Sequence, residues 1–232
     1  MTVPALAWVQ EGTALFERTL SKIDDAGLDA PSALPGWRRR HVVAHVASNA
    51  DALVNLLDWA RTGVETPMYS SSQQRAADIE AGAALPAGDL RAKLDAAHAR
   101  LGRELAAMPA GAWAAQVRTA RGRAVPASEV VWMRTREVWV HAADLDAGTS
   151  LRDVPADVLR ALAGDAAAAF AANAEAPRVT LIAADTGDRW ELGMAGTQES
   201  SPAQVRGELA EITAYLLGRP GAATGPALPA WL

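Results

Sequence analysis

Glu137 and His141 stand four residues apart in Thr135-Arg-Glu137-Val-Trp-Val-His141, and His45 stands in Arg38-Arg-Arg-His-Val-Val-Ala-His45-Val-Ala-Ser-Asn49. A carboxylate and two imidazoles are donors suited to a divalent cation. Three such ligands with a fourth position open are the arrangement of catalytic rather than structural zinc. On a helix, positions four apart project from one face, one turn apart, so Glu137 and His141 can serve one ion. Val130, Arg134, Glu137, His141 and Asp144 form a strip along that face, where an amphipathic helix carries its core seam. Burying a carboxylate and an imidazole there is costly unless something compensates, and a metal ion does so.

Each residue also has a plainer reading. A Glu–His pair at this spacing is often a surface ion pair, and an inward histidine is usually a hydrogen-bonded core residue. His41, four before His45, could be a fourth ligand or, beside Arg38, Arg39 and Arg40, a solvated group. His98, in Asp95-Ala-Ala-His98-Ala-Arg100, reads as an exposed helix residue. The 232 residues include four histidines and no cysteine. Disulfides, iron–sulfur clusters and a protein-borne thiol nucleophile are therefore excluded.

Hydrophobic periodicity predicts the elements that position these residues. Helices are expected over about 4–23, 38–61 (stopped by Gly63), 73–83, 89–107 and 126–146, the last with Pro126 in its first turn and Gly148 closing it. Ala115–Ala124, with Arg118, Arg121 and Arg123 around a glycine, reads as an extended turn, and no strand signal precedes residue 150. Beyond Gly148 a helix over 156–172 precedes strands at 178–183 and 189–192, joined by Asp185-Thr-Gly-Asp188 as a hairpin. Ser201-Pro-Ala-Gln204 has the composition of a capping box and predicts a helix to Leu217. The expected fold class is α+β, a four-helix bundle over 1–149 followed by a small α/β domain over 150–232.

Half the residues are hydrophobic and the net charge is −5. That balance suits a globular protein and argues against nucleic acid and anionic membranes as partners, which call for a basic face. No apolar run approaches the roughly 20 residues of a membrane span. Met1-Thr2-Val3-Pro4 lacks the regions of a signal peptide, so a cytoplasmic location is expected. No obligate protein partner is indicated.

The segment from Thr119-Ala-Arg-Gly-Arg through Glu137-Val-Trp-Val-His141-Ala-Ala-Asp144-Leu145 resembles the metal helix of the mycothiol-dependent maleylpyruvate isomerases. His41–Asn49 and Glu65-Thr-Pro-Met-Tyr69 resemble that family's second helix and following loop, and Gly218-Arg219 and the closing Pro-Ala-Trp-Leu232 fit its second domain. The resemblance implies a DinB-like metal-binding bundle with a small α/β domain. The family's zinc ligands fall on His45, Glu137 and His141, and Arg219 matches an arginine implicated in catalysis.

The reaction it implies is cis–trans isomerisation of maleylpyruvate to fumarylpyruvate in gentisate degradation. A thiolate adds reversibly to the conjugated double bond, the resulting single bond rotates, and elimination returns the trans isomer. With no cysteine in the chain, the resemblance assigns the thiol to mycothiol and its activation to zinc. The small-molecule substrate is a dicarboxylate and calls for a cationic clamp. Arg219 fills that role by resemblance, with Arg75, Arg118, Arg121 and Arg123 as further choices. Asp144 would orient a ligand. Two alternatives stand beside this reading: a mycothiol S-transferase on the same fold, and a non-enzymatic, zinc-stabilised binding module.

Overall fold

The computed structural model describes residues 3–193 and 201–229, and the chain divides into two compact units, Met1–Gly148 and Thr149–Leu232. Apolar residues at three- and four-residue spacing make the first unit helical: α1 (Val3–Leu20), α2 (Arg39–Thr62), α3 (Ser72–Ala83), α4 (Ala87–Ala107) and α5 (Glu129–Asp144). Gly63, at φ 74°, closes α2 in the left-handed conformation that glycine adopts without steric cost. Ser71 Oγ opens α3 by accepting from the Gln74 N–H at 3.0 Å.

α1 packs on α5, and α2 packs on α3, α4 and α5. The core between them holds Phe16, Leu53, Leu57, Leu94 and Val130. The α1–α5 approach depends on Gly12, where a Cβ would lie 2.6 Å from Trp139 Nε1 and from Val138 Cγ2. Trp139 Nε1 then donates to the Trp8 carbonyl at 2.8 Å and ties the two helices together.

Two expectations for this unit are corrected. Residues 115–126 form an antiparallel hairpin of β1 (Gln116–Arg118) and β2 (Ala124–Pro126), so strands do precede residue 150. Their three-residue length carries too little alternation to read, although Val117 and Val125 are buried partners. Pro126 ends β2 rather than starting α5, which begins at Glu129.

The second unit contains α6 (Ala156–Ala171), β3 (Val179–Ala183), β4 (Arg189–Leu192), β5 (Ala203–Gly207) and α7 (Leu209–Leu217). The sheet order is β4-β3-β5, with β3 antiparallel to β4 and parallel to β5. β3 is central, and Val179, Thr180, Leu181 and Ala183 are all buried, as a run covered on both faces requires. The helix expected from Ser201 is corrected here. Residues 203–207 are a strand, with Val205 opposite Leu181 in the core, and pairing with β3 overrides the local capping signal. α7 starts later, capped by Asp185 Oδ1, which accepts from the Leu209 N–H at 2.8 Å.

The α+β class, helix bundle followed by small sheet domain, is what the chain forms. Residues 230–232 of the closing Pro-Ala-Trp-Leu lie outside the described residues. No helix among the described residues is long and apolar enough to cross a membrane.

Candidate metal centre

α2 carries His45 and α5 carries Glu137 and His141, and one ligand atom from each lies within 4.8 Å of the other two. His45 Nε2 is 2.9 Å from Glu137 Oε2, and His141 Nε2 is 3.2 Å from the same oxygen. The imidazoles meet edge to face, 4.8 Å between centroids at 89°. Donors around a tetrahedral zinc with bonds of about 2.0–2.1 Å stand roughly 3.3 Å apart, near the two separations from the Glu137 oxygen.

The surrounding contacts fix each donor. His141 Nδ1 is 2.8 Å from Asp144 Oδ2, which engages that nitrogen and leaves Nε2 toward Glu137. Asp144, which makes this contact, is itself buried. Trp37 packs its ring against His45, centroids 5.6 Å apart. Arg39 Nε donates to the Leu145 carbonyl at 2.8 Å, fastening the start of α2 to the end of α5. Arg134, one turn before Glu137, is fully buried and donates from Nη1 to the Val46 carbonyl and to Asn49 Oδ1, each at 2.9 Å. These bonds join α5 to α2 one turn from the ligands.

Electrostatics favour a charged carboxylate. Burial alone would raise the Glu137 pKa, but the charges and hydrogen bonds of His45 and His141 hold it well below the ordinary value. Burial lowers His45 against the pull of Glu137. For His141, burial is outweighed by hydrogen bonds to Asp144 and Glu137, and its pKa rises to about 9. Burial brings Arg134 down to about 10, against the pull of Glu137, Tyr69 and Asp51, so it stays a cation at neutral pH.

The remaining residues singled out from the sequence fall elsewhere. His41 is neither solvated nor part of the set: its Nδ1 accepts from the Arg38 N–H at 3.1 Å, capping α2, and Nε2 is 3.5 Å from Glu80. His98 is not an exposed helix residue. Its side chain is 6% exposed, 2.9 Å from Glu17, and edge-on to Phe16. Its helix seam faces α1, and the polar sequence around it hides that. Arg118, Arg121 and Arg123 are exposed on the hairpin.

Arg75, on α3, does reach the set. Its Nη2 is 3.4 Å from His45 Nδ1 and its guanidinium lies over the Tyr69 ring, 5.7 Å from the centroid. Only the tertiary structure singles it out from the other arginines. Arg219 belongs to the second unit, just past Gly218 at the end of α7, with Nη1 donating to the Leu217 carbonyl at 2.7 Å.

The first unit is a helix bundle that carries a His/Glu/His cluster. YfiT from Bacillus subtilis, described as a probable metal-dependent hydrolase with an unusual four-helix bundle topology, shares the fold at TM-score 0.51 and 20% identity, over 63% of this chain and 86% of that one. The sequence model of the mycothiol maleylpyruvate isomerase N-terminal domain matches residues 9–146. The crystal structure of the mycothiol-dependent maleylpyruvate isomerase aligns at TM-score 0.92 with 37% identity, covering 98% of this chain and 96% of that one. A histidine-to-alanine mutant of that isomerase aligns at TM-score 0.92 with 36% identity and the same coverage. No curated protein matches the chain significantly by sequence. The chain belongs to the mycothiol maleylpyruvate isomerase family.

Proposed function

We propose that this protein is a zinc- and mycothiol-dependent cis–trans isomerase that converts maleylpyruvate to fumarylpyruvate, serving gentisate degradation. The observation that carries the reading is the convergence of His45 Nε2 and His141 Nε2 on one Glu137 oxygen, in a chain without a cysteine. The likeness of the whole chain to the mycothiol-dependent maleylpyruvate isomerase supports it.

The donor set fits zinc: two nitrogens and a carboxylate oxygen from the protein, with the fourth position left to an exogenous group. Zinc supplies Lewis acidity that favours a thiolate at neutral pH, and the thiol supplies reversible addition to the conjugated double bond. His45, Glu137 and His141 hold the metal. Asp144 keeps His141 in the ring orientation that presents Nε2. Arg75 offers a guanidinium beside the ligand set, able to bind a substrate carboxylate bidentately and to offset the charge that develops on the carbonyl during addition. Arg219 is proposed as the second cationic group acting on substrate. Neither an S-transferase nor a closed, zinc-stabilised module has an observation of its own to favour it.

The test is turnover of maleylpyruvate by the zinc-loaded protein with and without mycothiol. Saturable, mycothiol-dependent formation of fumarylpyruvate is expected. No isomerisation under these conditions, or full rate in thiol-free protein, contradicts the proposal.

A further inference from the structure

Beside the candidate metal centre, α2, α3, α4 and the α2–α3 loop line an open cavity of about 400 Å³. Its volume falls in the roughly 300–1,000 Å³ range of small-molecule sites. Its wall joins apolar surface, from Pro67 and Met68 among others, to the polar groups of Asp51, Asn55, Gln74 and Asp78. So many donors and acceptors lose water bonds when a ligand enters, and only a ligand rich in hydroxyls restores them.

The charge pattern narrows the ligand further. The negative charges of Asp51 and Asp78 are offset by Lys93 and by the Arg134 cation acting on Asp51, so the wall carries little net charge and suits a neutral polyol. Tyr69 and Asp51 also feel the charge of buried Arg134, whose Nη2 has no hydrogen-bond partner. The cavity joins the metal centre through one side chain. Arg75 lies over Tyr69, a cavity wall, and reaches His45, a ligand. Gln74 and Ser48, both lining the cavity, stand one residue from Arg75 and three from His45.

We infer that this cavity is the subsite for the polyhydroxylated, sugar–cyclitol body of the thiol, seating it so that the thiol end extends past Tyr69 and Arg75 toward the ligand set. The inference rests on the proposed mycothiol dependence and adds to it the surface that selects this thiol over simple ones. Asp51, Gln74 and Asp78 are the hydroxyl partners. Gln74 Nε2 already donates to Asp78 Oδ1 at 2.7 Å, which presents its amide oxygen as an acceptor.

The test titrates N-acetylglucosaminyl-inositol, the glucosaminyl-inositol body of mycothiol with an acetyl group in place of the N-acetylcysteinyl group, into the zinc-loaded full chain by calorimetry. Saturable binding is expected, weakened tenfold or more in Asp51→Ala and in Gln74→Ala. Ser70→Trp, which fills the cavity from its exposed rim, should abolish binding and raise the KM for mycothiol at least tenfold, with zinc content unchanged. Binding equal in wild type and all three variants overturns the subsite, as does no binding by the wild type. If the isomerase reading alone is wrong, maleylpyruvate is not turned over while fragment binding remains sensitive to the variants. If the subsite alone is wrong, turnover persists and Ser70→Trp leaves the mycothiol KM unmoved.

Discussion

Asp144 Oδ2 lies 2.8 Å from His141 Nδ1, from a position one helical turn further along α5. A carboxylate in this place fixes the imidazole ring and makes Nε2 a stronger donor to a metal. Asp144→Asn keeps the shape and loses the charge. Its zinc affinity should fall about ten- to a hundredfold, measured by competition with a chelating dye. Wild-type affinity in the variant would show that the pair serves only the fold.

Arg75 approaches His45 Nδ1 at 3.4 Å. A histidine that binds a metal through Nε2 carries its proton on Nδ1 and no longer accepts there, so the guanidinium is then available to an anion. Arg75→Ala should keep its zinc and lower kcat/KM for maleylpyruvate by about 2–4 kcal/mol in the barrier, roughly thirty- to a thousandfold. Steady-state kinetics with metal analysis on the same sample decides it, and near-wild-type kcat/KM removes Arg75 from the clamp.

Arg219 is the arginine singled out by family resemblance. Lysine keeps its charge but not the planar fork that binds a carboxylate with two bonds. Arg219→Lys should fold, hold zinc and lose most of its turnover, by a margin like that of Arg75→Ala. Full turnover in this variant would leave the second unit without a catalytic group.

His98 gives the metal-free protein a pH dependence of its own. Burial is the main cause that lowers its folded pKa below the ordinary 6.5, Arg134 adds to the shift, and Glu17 and Asp95 oppose it. As pH falls, the unfolded chain therefore takes up this proton first. The His98 contribution is intact above about 6.5 and is lost between that value and the lower folded pKa. His98→Phe should lose less stability than wild type between pH 7 and pH 5, read from denaturant midpoints. An equal or steeper loss would mean that His98 does not set the slope.

The His45, Glu137 and His141 cluster was legible in the sequence because its logic is local. Glu137 and His141 share a helix face by spacing, and Arg134 and Asp144 on the same strip are buried as the seam requires. The scarcity of histidines narrowed the third position to the second helix, where His41 and His45 stand, and the family resemblance pointed to His45. What escaped depends on contacts distant in sequence. Arg75 reaches His45 only because α3 folds back on α2. His98 is buried because α1 lies over it, and the strand at 203–207 exists because β3 is there to pair with it. The requirement for glycine at position 12 likewise comes from Trp139 and Val138, distant in sequence.

The central claim is that His45, Glu137 and His141 hold one metal ion that binds the sulfur of an exogenous thiol. Cobalt(II) substitution tests it directly, because a cobalt–thiolate bond produces a charge-transfer band in the near ultraviolet that nitrogen and oxygen ligands do not. The account predicts one cobalt per chain and a band that grows saturably with added mycothiol. It also predicts that His141→Ala, like His45→Ala and Glu137→Ala, holds little cobalt and shows no band. Cobalt retained in full by these variants, or a cobalt-loaded wild type whose spectrum mycothiol leaves unchanged, would contradict it.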